Sequence, residues 1–103
     1  MKQARLFSHL ITRNGRSFYE HLYPIRIATE MCGPYPVVEV LVEEVEVATD
    51  DTYWAWWSNE RNALSLIYKD RRQVEMCFPG SIEYLEEKGH GKCLPVRITE
   101  VVP

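Results

Sequence analysis

The chain has 103 residues, of which 46% are hydrophobic and 26% charged, and its formal net charge is −3. These values are typical of one globular domain, and they exclude a disordered or a fibrous protein. No stretch approaches the roughly 20 apolar residues that a membrane span needs, and the first residues lack the apolar core of a signal peptide. We therefore expect one domain over residues 1–103 and a cytoplasmic location.

Charge is distributed unevenly along the chain. Residues 1–27 carry five basic side chains against Glu20 alone, whereas residues 28–51 carry no Lys or Arg. The acids of that second stretch are Glu30, Glu39, Glu43, Glu44, Glu46, Asp50 and Asp51. A polar charge layout of this kind can steer association with a charged partner, but it says little about the fold.

The first 23 residues allow two interpretations. Leu6, Phe7, Leu10 and Ile11 have the spacing of a helical stripe, which favours a helix. Asn14-Gly15 is a strong hairpin turn signal, although the same pair can also end a helix. The helix is slightly preferred, followed by a short second helical turn that ends before Pro24.

The middle of the chain has strand patterns separated by polar turns. Alternation at Val38, Val40 and Val42 predicts a strand that passes a β-bulge at Glu43-Glu44 and resumes at Val45 and Val47. Three further strand-like runs follow, over residues 53–57, 63–68 and 73–78. These four runs predict an antiparallel meander.

The last third predicts a short helix and a final strand. Ser81 suits the N-cap of the helix and Gly89 its C-terminal stop, which would place Glu83, Glu86 and Glu87 on one exposed face. Leu94, Val96 and Ile98 indicate the strand. The predicted class is α+β: a small twisted antiparallel sheet of about five strands, partly barrel-like, with one to three short helices packed on it.

All three tryptophans lie within five residues, Tyr53-Trp54-Ala55-Trp56-Trp57. On a strand, Trp54 and Trp56 would point to one face while Tyr53 and Trp57 point to the other. One reading is that this cluster is the core of a small protein with one heavy strand. The other is that part of it is an exposed docking surface, because Trp and Tyr are enriched in interfaces.

No catalytic or cofactor motif is assembled in the sequence, so we expect a protein that is not an enzyme and has no cofactor. A zinc site could draw on Cys77, His90 and Cys93, with Cys32 as a further ligand. The spacing matches no closed metal pattern, however, and buried thiols are the simpler expectation. His90 stands between two glycines, which suits a helix-to-strand connection better than a catalytic loop.

The preferred function is therefore a protein-interaction domain. An acidic inhibitor, an immunity protein or a phage accessory protein would suit the size and charge, and so would a homodimer formed through a sheet edge or the aromatic face. Candidate contact residues are Tyr53, Trp54, Trp56, Trp57, Glu39, Glu43, Glu44, Glu46, Glu83, Glu86 and Glu87. The alternative is a single-stranded nucleic-acid binder that stacks bases on Trp54 and Trp56, with Lys69, Arg71 and Arg72 near phosphate. The upstream acids and the sequence pI of about 5.6 argue against it.

Overall fold

The computed structural model describes residues 2–26 and 34–102. Its elements are β1 (Gln3–Arg13), β2 (Arg16–Tyr23), β3 (Val37–Glu44), β4 (Tyr53–Ser58), β5 (Ala63–Tyr68), α1 (Arg71–Glu75), α2 (Ile82–Glu87) and β6 (Gly91–Glu100). Predictions that concern Glu30, Cys32 and Gly33 lie outside the described residues.

The predicted α+β class is confirmed. Six antiparallel strands form one sheet in the order β2-β1-β3-β6-β4-β5, accompanied by two short helices. Because β6 lies between β3 and β4, consecutive strands are not neighbours there. The predicted meander is therefore wrong, since local turn signals do not reveal a strand that inserts from far along the chain.

The N-terminal segment is a β-hairpin, and the preferred helix is wrong. Asn14 and Gly15 have φ of +52° and +73°, as the two central residues of a type I′ turn require. This turn fixes the register in which Arg13 pairs with Arg16. The hairpin signal therefore outweighed the helical spacing of the apolar residues.

Buried polar residues explain why the helical spacing was misleading. Ser8 and His9 are both fully buried in β1, where a strand pattern would call for apolar residues. The Ser8 hydroxyl donates to the carbonyl oxygen of Glu20 at 2.9 Å. The His9 ring packs edge-on against His21, 5.9 Å between centroids, and neither ring nitrogen has a hydrogen-bond partner among the described residues.

The strand predicted over residues 73–78 is also wrong, because α1 occupies Arg71–Glu75. Asp70 is its N-cap, and the Asp70 N–H donates to the Gln73 side-chain oxygen at 3.3 Å. This Asp-x-x-Gln spacing belongs to a capping box, a helix signal that the apolar alternation hid. Val74 is fully buried, whereas Met76, on the same predicted strand face, is 75% exposed.

Elsewhere the predicted elements are found. β4, β5, α2 and β6 cover the predicted segments, and Ser81 is the N-cap of α2. The continuation of β3 is wrong: β3 ends at Glu44, and Val47 is 71% exposed. Within the described ranges, no helix has the length and apolar content to cross a membrane.

By its internal contacts the chain divides into two compact units. Unit 1 comprises the described residues up to Ala4 together with Glu43–Arg97, and unit 2 comprises the described part of Arg5–Val42 with the residues from Ile98 onward. That the chain is one domain stays a prediction. The aromatic strand, both helices and the groove described below all belong to unit 1.

Candidate functional site

β4 presents its aromatic side chains on two faces, as the alternation predicts. Trp56 is 5% exposed and joins a buried cluster with Val74, Ile82 and Cys93, against which Trp54 also packs. Tyr53 and Ala55 are buried on the opposite face. The aromatic residues of β4 therefore supply much of the core of unit 1.

The two half-buried tryptophans each have a cation over the ring. The Arg71 guanidinium carbon lies 5.6 Å from the Trp54 ring centroid, and the Lys2 ammonium lies 5.0 Å from that of Trp57. Such contacts are attractive because a cation is drawn to the electron-rich ring face. Arg71 and Lys2 therefore cover the ring faces on which the bases of a nucleic acid would have to stack.

The predicted phosphate contacts are also occupied within the chain. The Lys69 ammonium donates to the carbonyl oxygens of Asp50 and Thr52 at 2.8 and 3.1 Å. Arg71 lies 3.3 to 3.9 Å from carboxylate oxygens of three acids, Glu75, Glu83 and Glu86. Two of the three proposed phosphate-binding side chains thus hold unit 1 together.

A β-bulge in β5 directs a leucine toward the helices. Trp56 pairs with Ser65 and Trp54 with Tyr68, so two residues in β5 stand opposite one in β4. Leu66, within this bulge, has φ of +52°, a left-handed conformation that is strained for a leucine. Ser65 and Leu66 both reach the groove beside Trp56 as a result.

This groove, which we call the β4–β5 groove, has a volume of about 460 Å³. Its lining includes the apolar side chains of Trp56, Leu66, Phe78, Pro79 and Leu85, together with Ser65. The Trp56 and Phe78 rings are tilted against each other at 4.9 Å between centroids. A volume of this size is typical of sites that enclose a small ligand or a large side chain.

The remaining lining residues are polar, and we call them the rim: Ser58, Glu60, Arg61 and His90. Ser58 is half-buried and the other three are exposed. His90 Nδ1 lies 3.4 Å from a Glu60 carboxylate oxygen. A carboxylate beside an imidazole can orient a general base, but both side chains are at least half exposed. The rim therefore suits recognition of polar groups.

Backbone geometry at the end of α2 positions His90. The Gly89 N–H donates to the Glu86 carbonyl oxygen at 3.1 Å, and the His90 N–H donates to that of Leu85 at 3.0 Å. Together with φ of +79° at Gly89, these bonds form a Schellman motif. The predicted role of Gly89 as a helix stop is confirmed.

Asn59 joins the two sides of the rim. Its side-chain N–H donates to the Gly89 carbonyl oxygen at 2.9 Å, and its backbone N–H donates to that of His90 at 3.0 Å. Its side-chain oxygen accepts from the Trp57 indole N–H at 3.0 Å. The turn after β4 is thereby fixed to the loop that carries His90.

The predicted acidic contact residues do not form one set. Glu39, in unit 2, lies 3.6 Å from Arg5, and Glu43, in unit 1, lies 3.6 Å from Arg97. Glu44 is half-buried, and Glu46 is exposed beyond the end of β3. Part of the negative charge on β3 is thus neutralised by pairing.

The predicted exposed acidic face of α2 is found for two of its three residues. Glu83 and Glu87 are exposed and Glu86 is half-buried. The Ser81 hydroxyl donates to a Glu83 carboxylate oxygen at 2.7 Å, and this bond lowers the pKa of Glu83. The hydroxyl therefore stabilises a carboxylate in the first turn of the helix.

The cysteine and histidine candidates are not placed as a metal site. In the described ranges, no group of three or more His, Cys, Asp or Glu side chains could hold a metal ion. Cys77 is exposed and Cys93 is buried, while Cys32 lies outside the described residues. Burial raises the pKa of Cys93 to about 11, so its thiol is protonated at neutral pH.

Sequence reasoning missed most of the groove. The sequence predicts strands for Leu66 and Phe78, and it predicts only a polar turn between the strands that end at residue 57 and begin at residue 63. The sequence contains a signal only for Phe78. The capping box at Asp70 and Gln73 indicates a helix, and this helix excludes the strand predicted over residues 73–78. The bulge that turns Leu66 has no sequence signature, because left-handed φ is not expected of a leucine.

Comparisons with known proteins give no relative to reason from. No family model matches the chain, and neither the curated proteins nor the solved structures contain a match. The functional argument therefore depends on the chemistry of the groove and its rim.

Proposed function

We propose that this protein is a non-enzymatic, cytoplasmic interaction domain that binds a partner protein through the β4–β5 groove. The observation that carries the proposal is the groove of about 460 Å³ whose lining includes Trp56, Leu66 and Phe78. Burying one large apolar side chain there contributes about 1.5 to 3 kcal/mol. An interface of this kind has the apolar anchor and polar rim typical of protein recognition.

Strain at Leu66 supports a functional role for the groove. A leucine in the left-handed region costs roughly 1 kcal/mol, and such residues cluster at binding sites. Here the strained residue lies on the groove wall. The Leu66 side chain also packs against the buried cluster around Trp56, so part of the strain is offset by burial and the groove wall and the core share this residue.

The groove supports the proposal better than the acidic surface does. Glu39 and Glu43 are paired with arginines, and Arg71 lies among the acids of α2. An acidic inhibitor or immunity protein would therefore present fewer uncompensated charges than the sequence suggests. In our proposal the acids assist encounter with the partner, and the groove supplies the contact energy.

The nucleic-acid alternative has less support. The Trp54 ring is covered by Arg71, and Lys69 bonds to backbone carbonyls. A strand of nucleic acid needs several free cations along its backbone. A second copy of the chain is a different occupant of the same groove, and mass measurement distinguishes it.

The test is selection of random heptapeptides displayed on phage against the purified protein, followed by binding of the selected peptides as synthetic molecules. We expect peptides with a large apolar residue, and we expect them to shift the NMR amide signals of Ser65 and Leu66. The variant Ser65→Phe fills the groove and should lose this binding. The matched control Thr99→Phe adds the same side chain at an exposed position of β6 outside the groove.

The proposal fails if the selected peptides bind Ser65→Phe as well as they bind the unsubstituted protein. It also fails if a short mixed oligonucleotide, and no peptide, shifts the groove signals. A dimer detected by sedimentation whose interface shifts the same signals would make the partner a second copy.

A further inference from the structure

Arg61 is exposed and lines the β4–β5 groove, and its side chain has no ion-pair partner among the described residues. Its backbone is fixed, because the Arg61 N–H donates to the Ser58 hydroxyl at 3.2 Å. The neighbouring acid, Glu60, is directed to His90 instead. The guanidinium is therefore available to a ligand, and the turn that carries it is anchored to Ser58 through the backbone.

Most other cations of unit 1 are already engaged. Lys69 bonds to carbonyls, Arg71 lies among three carboxylates and Arg97 pairs with Glu43. Arg72 and Lys92 also have no carboxylate partner among the described residues, but neither lines the groove. Arg61 is the sole Lys or Arg among the described residues that line it.

We propose that the groove recognises a partner segment in which a large apolar side chain stands next to a carboxylate, with the carboxylate bound by Arg61. This inference rests on the proposed function. A guanidinium can hold one carboxylate through two parallel hydrogen bonds, which fixes orientation as well as charge. Because Arg61 itself lines the groove, the acid lies within one or two residues of the apolar side chain.

The rim chemistry favours a single carboxylate over a phosphate chain. Glu60, which also lines the groove, lies beside His90, so Arg61 is the one Lys or Arg among the described lining residues that is left to bind a negative group. A polyanion gains affinity by neutralising several phosphates with several cations. One cation next to one acid matches a single side-chain carboxylate in a protein segment.

The test uses three blocked hexapeptides that share a phenylalanine and differ only in the next residue, which is Glu, Gln or Lys. Binding is measured by titration of the Ser65, Leu66 and Trp56 indole signals in NMR spectra. We expect millimolar affinities and a preference of about threefold to fivefold for the Glu peptide over the Gln peptide, as for a partly exposed ion pair. The preference should shrink in high salt.

Charge reversal supplies the decisive comparison. Arg61→Glu should reverse the order, so that the Lys peptide binds tightest, and Arg61→Gln should abolish the difference between the Glu and Gln peptides. The control Arg16→Glu makes the same charge change in unit 2, where Arg13 stands directly opposite, and should keep the original order. If Arg61→Glu does not fold, the comparison of Arg61→Gln with the unsubstituted protein decides the test.

The outcomes separate the two proposals. If all three peptides shift the groove signals with equal affinity, and Arg61→Glu changes nothing, the carboxylate inference is wrong while the groove function stands. If no peptide shifts these signals at millimolar concentration, the groove function itself is wrong, and the inference with it. A short oligonucleotide that shifts the same signals more strongly would overturn both.

Discussion

Gly91 is the residue at which the structure leaves least room for a side chain. It is buried in β6 opposite Ser58, and a Cβ added there would overlap the Trp57 carbonyl oxygen and come within 2.5 Å of a Trp56 ring atom. Neither the backbone carbonyl nor the packed indole can move away without disturbing β4. Only glycine fits where the two strands approach at this point.

We predict that Gly91→Ala lowers the free energy of unfolding by about 3 kcal/mol, the cost of overpacking a dense core. Urea unfolding followed by tryptophan fluorescence measures the change. The matched control is Gly80→Ala, because a Cβ there would meet no heavy atom within 4 Å. Equal stability of the two variants would mean that β4 and β6 are less closely packed than described.

A second prediction concerns the buried thiol of Cys93. Burial raises its pKa to about 11, above the value of about 8.5 for a free thiol. Below pH 8.5 both folded and unfolded chains keep the proton, so stability is unaffected. Between about pH 8.5 and 11 only the unfolded chain releases the proton, so the free energy of unfolding should decrease by up to about 3 kcal/mol.

Unfolding measured from pH 8 to 11 checks this prediction, with Cys93→Ala as the comparison. The pKa of Tyr19 is also raised, first by burial and then by the charge of Glu100, and this tyrosine contributes a decrease of the same sign at higher pH in both proteins. The difference between the two pH profiles therefore isolates the thiol. Parallel profiles would show that Cys93 reaches water in the folded state.

Among the elements, α1 and α2 are held to each other and to β4 through Arg71. Its guanidinium lies over Trp54 on β4, pairs with Glu75 on α1 and lies near Glu83 and Glu86 on α2. Helices of five and six residues are too short to be stable alone. Their position depends on contacts of this kind and on burial of Val74 and Ile82.

We predict that Arg71→Ala lowers the free energy of unfolding by about 1 kcal/mol, a modest value because the side chain is 42% exposed and its ion pairs are screened. Arg71→Lys should recover only the charge, since an ammonium cannot stack as a guanidinium does. Arg72→Ala, an exposed neighbour without a carboxylate partner among the described residues, is the control and should stay within 0.5 kcal/mol. Urea unfolding in low and high salt separates the ionic part from the stacking part.

The elements differ in how far sequence predicted them, for physical reasons. β4 and β5 were predictable because Trp54 and Trp56 alternate with residues of the other face and polar turns bound both strands. β1 was not, because Ser8 and His9 are buried where apolar residues would mark a strand. α1 was misread because five residues contain too few periods to separate a helix from a strand, although Asp70 and Gln73 carried the capping signal.

The groove could be predicted only in part. The aromatic strand pointed to this region, and the Gly89 stop placed His90 in a connection. Two features decide which residues surround Trp56: the left-handed backbone of Leu66 and the pairing of β4 with β6. Both depend on residues far apart in the chain, so a single sequence contains no local signal for them.

At the scale of the whole molecule, the two outer strands of the sheet order are interrupted. β2 has a register shift with His21 at φ of +56°, and β5 has one with Leu66 at +52°. A bulge twists an edge strand and spoils the regular row of groups that another strand would pair with. This counts against a homodimer formed by edge pairing.

We predict that deleting Leu22, which removes the extra residue of β2, makes the protein associate more strongly with rising concentration than the unsubstituted protein does. His21→Gly keeps the bulge, so it should associate no more than the unsubstituted protein; the strain relief of about 1 kcal/mol is offset by loss of the ring contact with His9. Light scattering over a concentration series measures the association. Identical behaviour of the two variants would show that the bulge does not protect this edge.

The place of β6 in the sheet also has a consequence for biosynthesis. β6 follows every other strand in the chain, yet it lies between β3 and β4. While a ribosome is still making the protein, β3 and β4 each lack one neighbour, and the nascent chain exposes strand edges together with the aromatic residues of β4. Pairing over such sequence separations is slow, so these strand edges and the aromatic residues of β4 stay open to non-native association until β6 has been made and has paired.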